Sequence, residues 1–202
     1  MNRKKIRAIL PKIGLCLSAS ITLAQGIGAQ TIPGVVSTDP LKALPNVSVQ
    51  YYTVSGTDEE SINASLNQNA PARPDGSKAM ASSRYTPSIR PFCAPMGPAA
   101  RVKSVKIQLG AVVTLPRLAD ESAVPERILA RWRPFVAGLR EHEAGHIRIE
   151  YQQIRGMEAA LLGSKCSDLD AKFDAIHARS RALQKAYDAE TNSGETQGAI
   201  LR

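Results

Sequence analysis

The segment from about Phe135 to Leu162 restricts the fold more than any other, because it combines a helical period with ionisable groups on its apolar side. An advance of about 100° per residue gathers an apolar stripe from Val136, Leu139, Ile154, Met157 and Leu161. The same side of this helix carries His142, Glu143, His146 and Glu150. Burying such groups costs several kcal/mol unless something pairs them. We therefore expect a polar site between this helix and the rest of the domain.

Two histidines and a glutamate on that stripe form the pattern H-E-x-x-H, with His142 and His146 on either side of Glu143. Residues four apart lie on one face of a helix, so both imidazoles can reach one ion, and neutral imidazole is a good ligand for Zn²⁺. The carboxylate of Glu143 would lie beside that ion, where it can take a proton from water as a general base. The alternative is a metal-free helix whose inner polar groups are hydrogen-bonded to a sheet. Ligand spacing with a glutamate between the histidines favours one bound Zn²⁺.

The third zinc ligand is not fixed by the motif, although a catalytic zinc usually has one. If residues 162–167 form a tight helical hairpin, positions whose numbers sum to about 330 face each other, as in an αα-hairpin. That register sets Asp188 opposite His142, and we predict Asp188 as the third ligand, with Glu190 and His177 as alternatives. A solvated helix end is the other interpretation of Asp188.

Two further residues near the motif have predicted roles outside the ligand set. Glu150 lies a full turn beyond His146, too far to reach the same ion, and we expect it to be an outer-shell partner of His146. The hairpin register also sets Gln184 opposite His146. Tyr187 has two interpretations, as a packed aromatic ring or as a donor that stabilises an oxyanion.

Gly138, Gly145 and Gly156 share another face of the same helix, and each weakens a helix by about 1 kcal/mol relative to alanine. We therefore expect another part of the chain to approach closely there, with the strand Val102–Leu115 as the candidate. That strand would then also be a ledge for an extended substrate. Ordinary packing of the helix on the sheet is the alternative.

The patterns along the whole chain predict an α+β domain in which strands come first and helices follow. Strands are predicted at Val47–Val54, Ala79–Ile89 and Val102–Leu115, with a bulge at Gly110. Helices are predicted from a capping box of Thr57 and Glu60 to about Asn67, over Glu126–Trp132, from Pro134 in a first turn to Leu162, and from about Ser167 to Glu190. We expect a small antiparallel sheet packed on the long motif-bearing helix, followed by a C-terminal helix, in a zincin-like arrangement.

Residues 1–29 have the layout of a cleavable secretory signal, with a basic start, an apolar stretch and small residues before Gln30. An uncleaved N-terminal anchor is the alternative. We predict a linker at 30–46, where prolines fall without periodicity, and a single zincin-like domain at 47–202. No apolar run after the signal is long enough for a membrane span.

The charge of the chain comes mostly from its first segment. Five of the 26 lysines and arginines lie in residues 1–29, which hold no aspartate or glutamate, so removal of that segment reduces the formal net charge from +8 to +3. We find no basic stripe with interleaved aromatic residues, and we expect no nucleic-acid partner.

Two cysteines, Cys93 and Cys166, remain after the predicted signal. An exported protein enters an oxidising compartment, where an isolated pair is most simply a disulfide. Two free thiols are the alternative.

The chain resembles the bacterial predicted secreted zinc-dependent proteases, a family that contains HExxH. The resemblance runs from about Val47 onward and is carried by the segments Tyr51–Gly56, Tyr85, Leu115–Pro116, Arg131–Trp132 and His142–His146. It implies export, a metal site on the two histidines and a general base at Glu143.

These observations together predict an exported, periplasmic or secreted zinc hydrolase, a metallopeptidase that acts on a peptide or protein. One alternative is a non-enzymatic exported envelope-binding module with a structural or relic metal site. Another is an enzyme that cleaves a non-peptide amide or the cell wall. A closed site with four protein ligands would indicate a structural metal, whereas an open coordination position would indicate catalysis.

Overall fold

The structure, a computed structural model, describes residues 39–73 and 76–201. The predicted signal at 1–29 and most of the predicted linker at 30–46 lie outside the described residues. The described part contains three strands and three long helices, which confirms the α+β class, and 3-10 turns at Glu121–Ala123, Cys166–Asp168 and Glu195–Gln197. The elements are β1 Val47–Val54, α1 Glu59–Asn69, β2 Ser82–Ala94, β3 Arg101–Leu118, α2 Glu126–Leu161 and α3 Leu169–Thr191.

The sheet is mixed, with strand order β1-β3-β2. β2 runs antiparallel to β3, with Ile89 opposite Ile107. β1 runs parallel to β3, with Val47 opposite Ala111, so the predicted all-antiparallel sheet is wrong. Parallel neighbours need a long crossover connection, and α1 together with β2 supplies it here.

β2 is the edge strand beside the motif-bearing helix, and it passes through Pro87 and Pro91. The predicted strand end at Ile89 is therefore wrong. An edge strand tolerates proline because the position that lacks an N–H can face away from the sheet.

The predicted bulge at Gly110 of β3 is also wrong. Gly110 pairs in register with Thr86, whose Oγ1 would lie 2.7 Å from a Cβ at position 110.

α1 follows an N-cap at Asp58, one residue beyond the predicted Thr57. The carboxylate of Asp58 accepts a hydrogen bond from Ser61 N at 2.8 Å, and Ser61 Oγ accepts one from Asp58 N at 3.4 Å. A carboxylate at this position also interacts favourably with the helix dipole. The capping box therefore exists with different members, and α1 buries Ile62 and Leu66 in the core.

α2 is one continuous helix through Pro134, so the two separate helices predicted on either side of this proline are wrong. Proline inside a helix costs about 3 kcal/mol because it lacks a donor and crowds the preceding turn. Trp132 and Phe135 flank it, are both buried, and have ring centroids 5.6 Å apart. Burial of two large aromatic side chains offsets the cost of the proline and keeps both halves of α2 on one core.

The core lies between the inner face of the sheet and α2. The main cluster joins Val113 and Leu115 of β3 to Leu139, Ala144 and Ile147 of α2. A smaller cluster lies toward the far end of α2, where Val102 and Val105 meet Met157 and Leu161. Because both clusters use α2, the position of the motif along that helix is fixed on the sheet.

α3 returns alongside α2. Its two buried residues, Ser180 and Thr191, are both polar. Near its start, Leu169, Phe173 and Ile176 pack against the smaller cluster. The far half of α3 contacts α2 through the ring of Tyr187 and through hydrogen bonds from Ser180 and Gln184.

The described end of the predicted linker packs on the domain. Leu41 is buried in the main cluster, and Asp39 Oδ2 lies 2.8 Å from Arg140 Nη1 of α2. These contacts attach residues 39–46 to the helix that carries the motif.

Cys93 and Cys166 form a disulfide, as predicted, between the end of β2 and the turn that joins α2 to α3. The two cysteines are 73 residues apart in the sequence, so the bridge closes a long loop.

In the part of the chain that the structure describes, none of the helices has the length and apolarity needed to cross a membrane.

The disulfide predicts a measurable stability difference. The double variant Cys93→Ser/Cys166→Ser should lose about 3–4 kcal/mol of unfolding free energy, because the bridge restricts the unfolded chain across a long loop. Denaturant unfolding with and without reductant measures this loss. Reductant should destabilise the unmodified protein and leave the double variant unchanged; equal stability of both proteins under oxidising conditions would contradict the prediction.

Candidate metal centre

Three potential ligand atoms meet between α2 and α3. The Nε2 atoms of His142 and His146 are 3.1 Å apart. Asp188 Oδ1 lies 3.3 Å from the first and 3.0 Å from the second. His142 is buried, His146 is nearly so, and Asp188 is partly exposed. The predicted hairpin register thus sets Asp188 opposite the two histidines, and its role as a ligand stays a prediction.

The spacing of these atoms fits Zn²⁺. Two donors at about 2.0–2.1 Å from a tetrahedral zinc lie about 3.3 Å from each other. The three separations of 3.1, 3.3 and 3.0 Å are close to that value. Two imidazoles and one carboxylate are also a ligand set that catalytic zinc sites use.

Gln197 orients the ring of His142. The amide Nε2 of Gln197 donates to Tyr187 Oη at 2.9 Å, which leaves its Oε1 to accept from His142 Nδ1 at 3.0 Å. With the proton on Nδ1, the Nε2 of His142 carries a lone pair. Burial, followed by the nearby His146, lowers the pKa of His142 and favours the neutral imidazole that binds metals.

Gln184 orients His146 in the same way. Its amide Nε2 donates to His146 O at 3.1 Å and to Glu150 Oε1 at 2.8 Å, so its Oε1 accepts from His146 Nδ1. Glu150, predicted as a partner of His146, therefore reaches it only through Gln184. The hydroxyl of Ser180 donates to the same carboxylate oxygen and completes the chain of hydrogen bonds.

Both imidazoles therefore direct an Nε2 lone pair toward Asp188 Oδ1, which is also an acceptor. Three acceptor atoms at such short distances repel one another unless a proton or a cation lies among them. Ligand histidines in metal sites usually donate their other N–H to an oxygen, as both do here. His142, His146 and Asp188 thus form a group that could hold a metal ion.

Glu143 lies on the sheet side of the two histidines. It is 4 % exposed, and its Oε2 accepts a hydrogen bond from the hydroxyl of Ser83 on β2. Burial raises the pKa of Glu143, while the Ser83 hydrogen bond and the charge of Arg73 act in the opposite direction. The Ser83 hydroxyl thus holds the Glu143 carboxyl group in one place, and Glu143 lines the same cleft as the two histidines.

Tyr187 packs against both histidines. Its ring is stacked on His142 with centroids 5.2 Å apart and meets His146 edge-on at 4.9 Å. Its hydroxyl accepts from Gln197, and burial raises the pKa of Tyr187. Of the two interpretations of Tyr187, the packed ring is the one observed.

The alternative third ligands lie away from the cluster. His177 and Glu190 are exposed on α3. Among the described residues, the group of ligand atoms within 4.8 Å of one another consists of His142, His146 and Asp188.

A cleft of about 900 Å³ opens over the ligand atoms. One wall is formed by residues 79–85, which include the start of β2, and Arg73 and Lys78 lie at its rim. Tyr85 faces this cleft, and burial raises its pKa, so its hydroxyl stays protonated as a donor. The cleft therefore leaves the ligand atoms accessible from solvent beside the edge strand.

The glycine face of α2 does not contact β3, contrary to the prediction. A Cβ on Gly138 would lie 2.4 Å from Ala199 N, and one on Gly145 would lie 1.9 Å from Tyr187 Oη. Nothing lies within 4 Å of the corresponding position on Gly156. β3 is also the central strand, so the proposed substrate ledge on it is wrong; the exposed edge beside the cleft belongs to β2.

Two residues at the site carry no signal in the sequence. Ser83 is the second of two adjacent serines at the start of β2, and Gln197 lies in a polar stretch after α3. Each becomes a partner of a motif residue only through tertiary packing. The alternation of β2 does indicate which of Ser82 and Ser83 points inward, once the register of that strand is known.

The sequence profile of a family described as "Bacterial protein of unknown function (DUF922)" matches residues 49–195, which include the two histidines, Glu143 and Asp188. No curated protein and no solved structure matches the chain.

The contact of Tyr187 with α2 predicts opposite effects of two alanine substitutions on one helix. Gly145→Ala should lower the unfolding free energy by about 1–3 kcal/mol, because its Cβ overlaps Tyr187. Gly156→Ala should raise it by up to about 1 kcal/mol, because alanine favours the helix and meets nothing there. Thermal or denaturant unfolding measures both, and a stabilising Gly145→Ala would refute the placement of Tyr187.

Proposed function

This chain belongs to the DUF922 family of bacterial proteins of unknown function, and we propose that it is an exported zinc-dependent hydrolase, a metallopeptidase. The observation that carries the proposal is the convergence of two imidazoles and a carboxylate on one point, with separations of 3.0–3.3 Å. Glu143 lies beside that point on the same helix.

The residues divide into ligands and a base. His142, His146 and Asp188 would hold Zn²⁺, and Gln197 and Gln184 would fix the two rings. A bound zinc supplies a Lewis acid that polarises a carbonyl and lowers the pKa of water. Glu143 takes a proton from the attacking water and can return it to the leaving amine. Ser83 holds the Glu143 carboxylate in position for both transfers.

The number of ligands and the open cleft favour a catalytic zinc over a structural one. Structural zinc sites are usually closed by four protein ligands, whereas catalytic sites keep a position open for water or substrate. The cluster supplies three ligand atoms among the described residues, and a cleft of about 900 Å³ leads to it. This favours a hydrolase over the alternative of an envelope-binding module with a structural metal.

A peptide substrate is favoured by the wall of the cleft. β2 is an edge strand, and its first residues line the cleft next to Glu143. An extended peptide can pair its main chain with such an edge and so present a carbonyl beside the ligand atoms. A substrate that lacks an extended backbone would gain nothing from this strand.

Export is supported by the disulfide between Cys93 and Cys166, which is consistent with an oxidising compartment. Together with the predicted signal at residues 1–29, it supports a periplasmic or secreted location for the hydrolase.

Metal content tests the ligand set. The natively purified protein should contain about one zinc per chain, and His146→Ala should lose it because two ligands hold zinc far more weakly than three. His177→Ala is the matched control, since this histidine is exposed on α3 and should retain the metal. Atomic absorption or mass spectrometry measures the stoichiometry. Zinc content that is unchanged in His146→Ala would contradict the assignment.

Turnover tests the base. Glu143→Gln should keep its zinc and lose about 10²–10⁴-fold in kcat on a peptide library, because a general base contributes about that factor. Glu158→Gln, an exposed glutamate on the same helix, is the control and should keep full activity. A Glu143→Gln protein that is as active as the unmodified one would rule out the proposed role.

A further inference from the structure

The charged residues of the three strands are all basic. The strands contain Arg84, Arg90, Arg101, Lys103, Lys106 and Arg117, and neither aspartate nor glutamate. The inner face of the sheet is apolar and covered by α2, so its charged side chains lie on the outer face and at the ends of the strands. The outer face therefore attracts anions, although the chain without residues 1–29 has a small net charge.

A β-bulge adds one of these cations to the outer face at one end of the sheet. Phe92 pairs with Ser104 and Cys93 pairs with Val102, so β3 has one extra residue, Lys103, at this place. The extra residue lets Val102 and Val105 both point inward while Lys103 and Ser104 both point outward. Without it, strict alternation would bury one of these polar residues.

Two large apolar side chains project from the same end. Phe92 is 61 % exposed and Met96, in the turn between β2 and β3, is 97 % exposed. Phe92 lies opposite Ser104, two residues from Lys106, and Arg90 lies directly opposite Lys106. We call this surface, formed by Arg90, Phe92, Met96, Lys103 and Lys106, the basic end. It combines cations with exposed apolar tips.

We propose that the basic end docks the protein on a membrane surface rich in anionic lipid headgroups. The lysines and the arginine would bind the headgroup phosphates, and Phe92 and Met96 would enter the boundary between headgroups and acyl chains. A soluble polyanion would use the same cations, but it offers no apolar environment for the two exposed tips. The apolar tips therefore favour lipid as the partner.

The position of the basic end leaves the cleft free. Phe92 is nine residues along β2 from Ser83, which is about 30 Å of strand. A protein docked by the basic end would keep the proposed metal centre away from the contact. The docking proposal does not depend on the proposed hydrolase activity, and either can fail alone.

Co-sedimentation with vesicles tests the proposal on the purified protein without the predicted signal at residues 1–29. We expect binding to vesicles of phosphatidylglycerol and phosphatidylcholine, weakened by salt, and little binding to pure phosphatidylcholine. Lys103→Gln/Lys106→Gln should bind roughly 25-fold more weakly, since each cation near an anionic surface contributes about fivefold in affinity. Phe92→Ser/Met96→Ser should also bind more weakly, most clearly at high salt.

The matched control is Lys42→Gln/Lys185→Gln, which removes the same charge from exposed lysines outside the sheet. It should bind the vesicles as the unmodified protein does, and circular dichroism verifies that every variant is folded. Equal losses in the two lysine pairs, or equal binding to both kinds of vesicle, would overturn the proposal. Full vesicle binding by Phe92→Ser/Met96→Ser at high salt would show that the apolar tips do not enter the bilayer and would also overturn the proposal.

Discussion

The polar face that α2 turns toward the core is the constraint on which the rest of the fold depends. Ionisable groups cannot be buried there unless each finds a partner. The partners come from three other parts of the chain: Ser83 from β2, Gln184 from α3 and Gln197 from the turn after α3. Each of these elements is therefore held in position partly by its hydrogen bond to the motif.

Local periodicity was sufficient to predict much of this arrangement. The 3.6-residue period of α2 identified its inner face, and β1 has the predicted bounds. A short turn between two helices fixes which residues of one helix face those of the other. Counting residues outward from the turn therefore set Asp188 of α3 opposite His142 of α2. These features succeed because they depend on residues close in sequence or on a single tight connection.

The features that sequence reasoning missed depend on distant contacts. The pattern of β1 is the same for a parallel and an antiparallel neighbour, so it could not give the mixed sheet. Pro134 marks a helix end by local rules, and only the burial of Trp132 and Phe135 on one core keeps the helix continuous. Gln197 and Ser83 lack any local signal, because their partners are 55 and 60 residues away.

The wide separation of the residues around the ligand atoms, from position 83 to position 197, has a consequence for how a metal could be acquired. In the unfolded chain, the two histidines are four residues apart in the sequence, and nothing completes or orients the ligand set. Affinity for zinc would therefore arise together with tertiary structure. Metallation would then take place in the compartment where the chain folds, with whatever ions that compartment supplies.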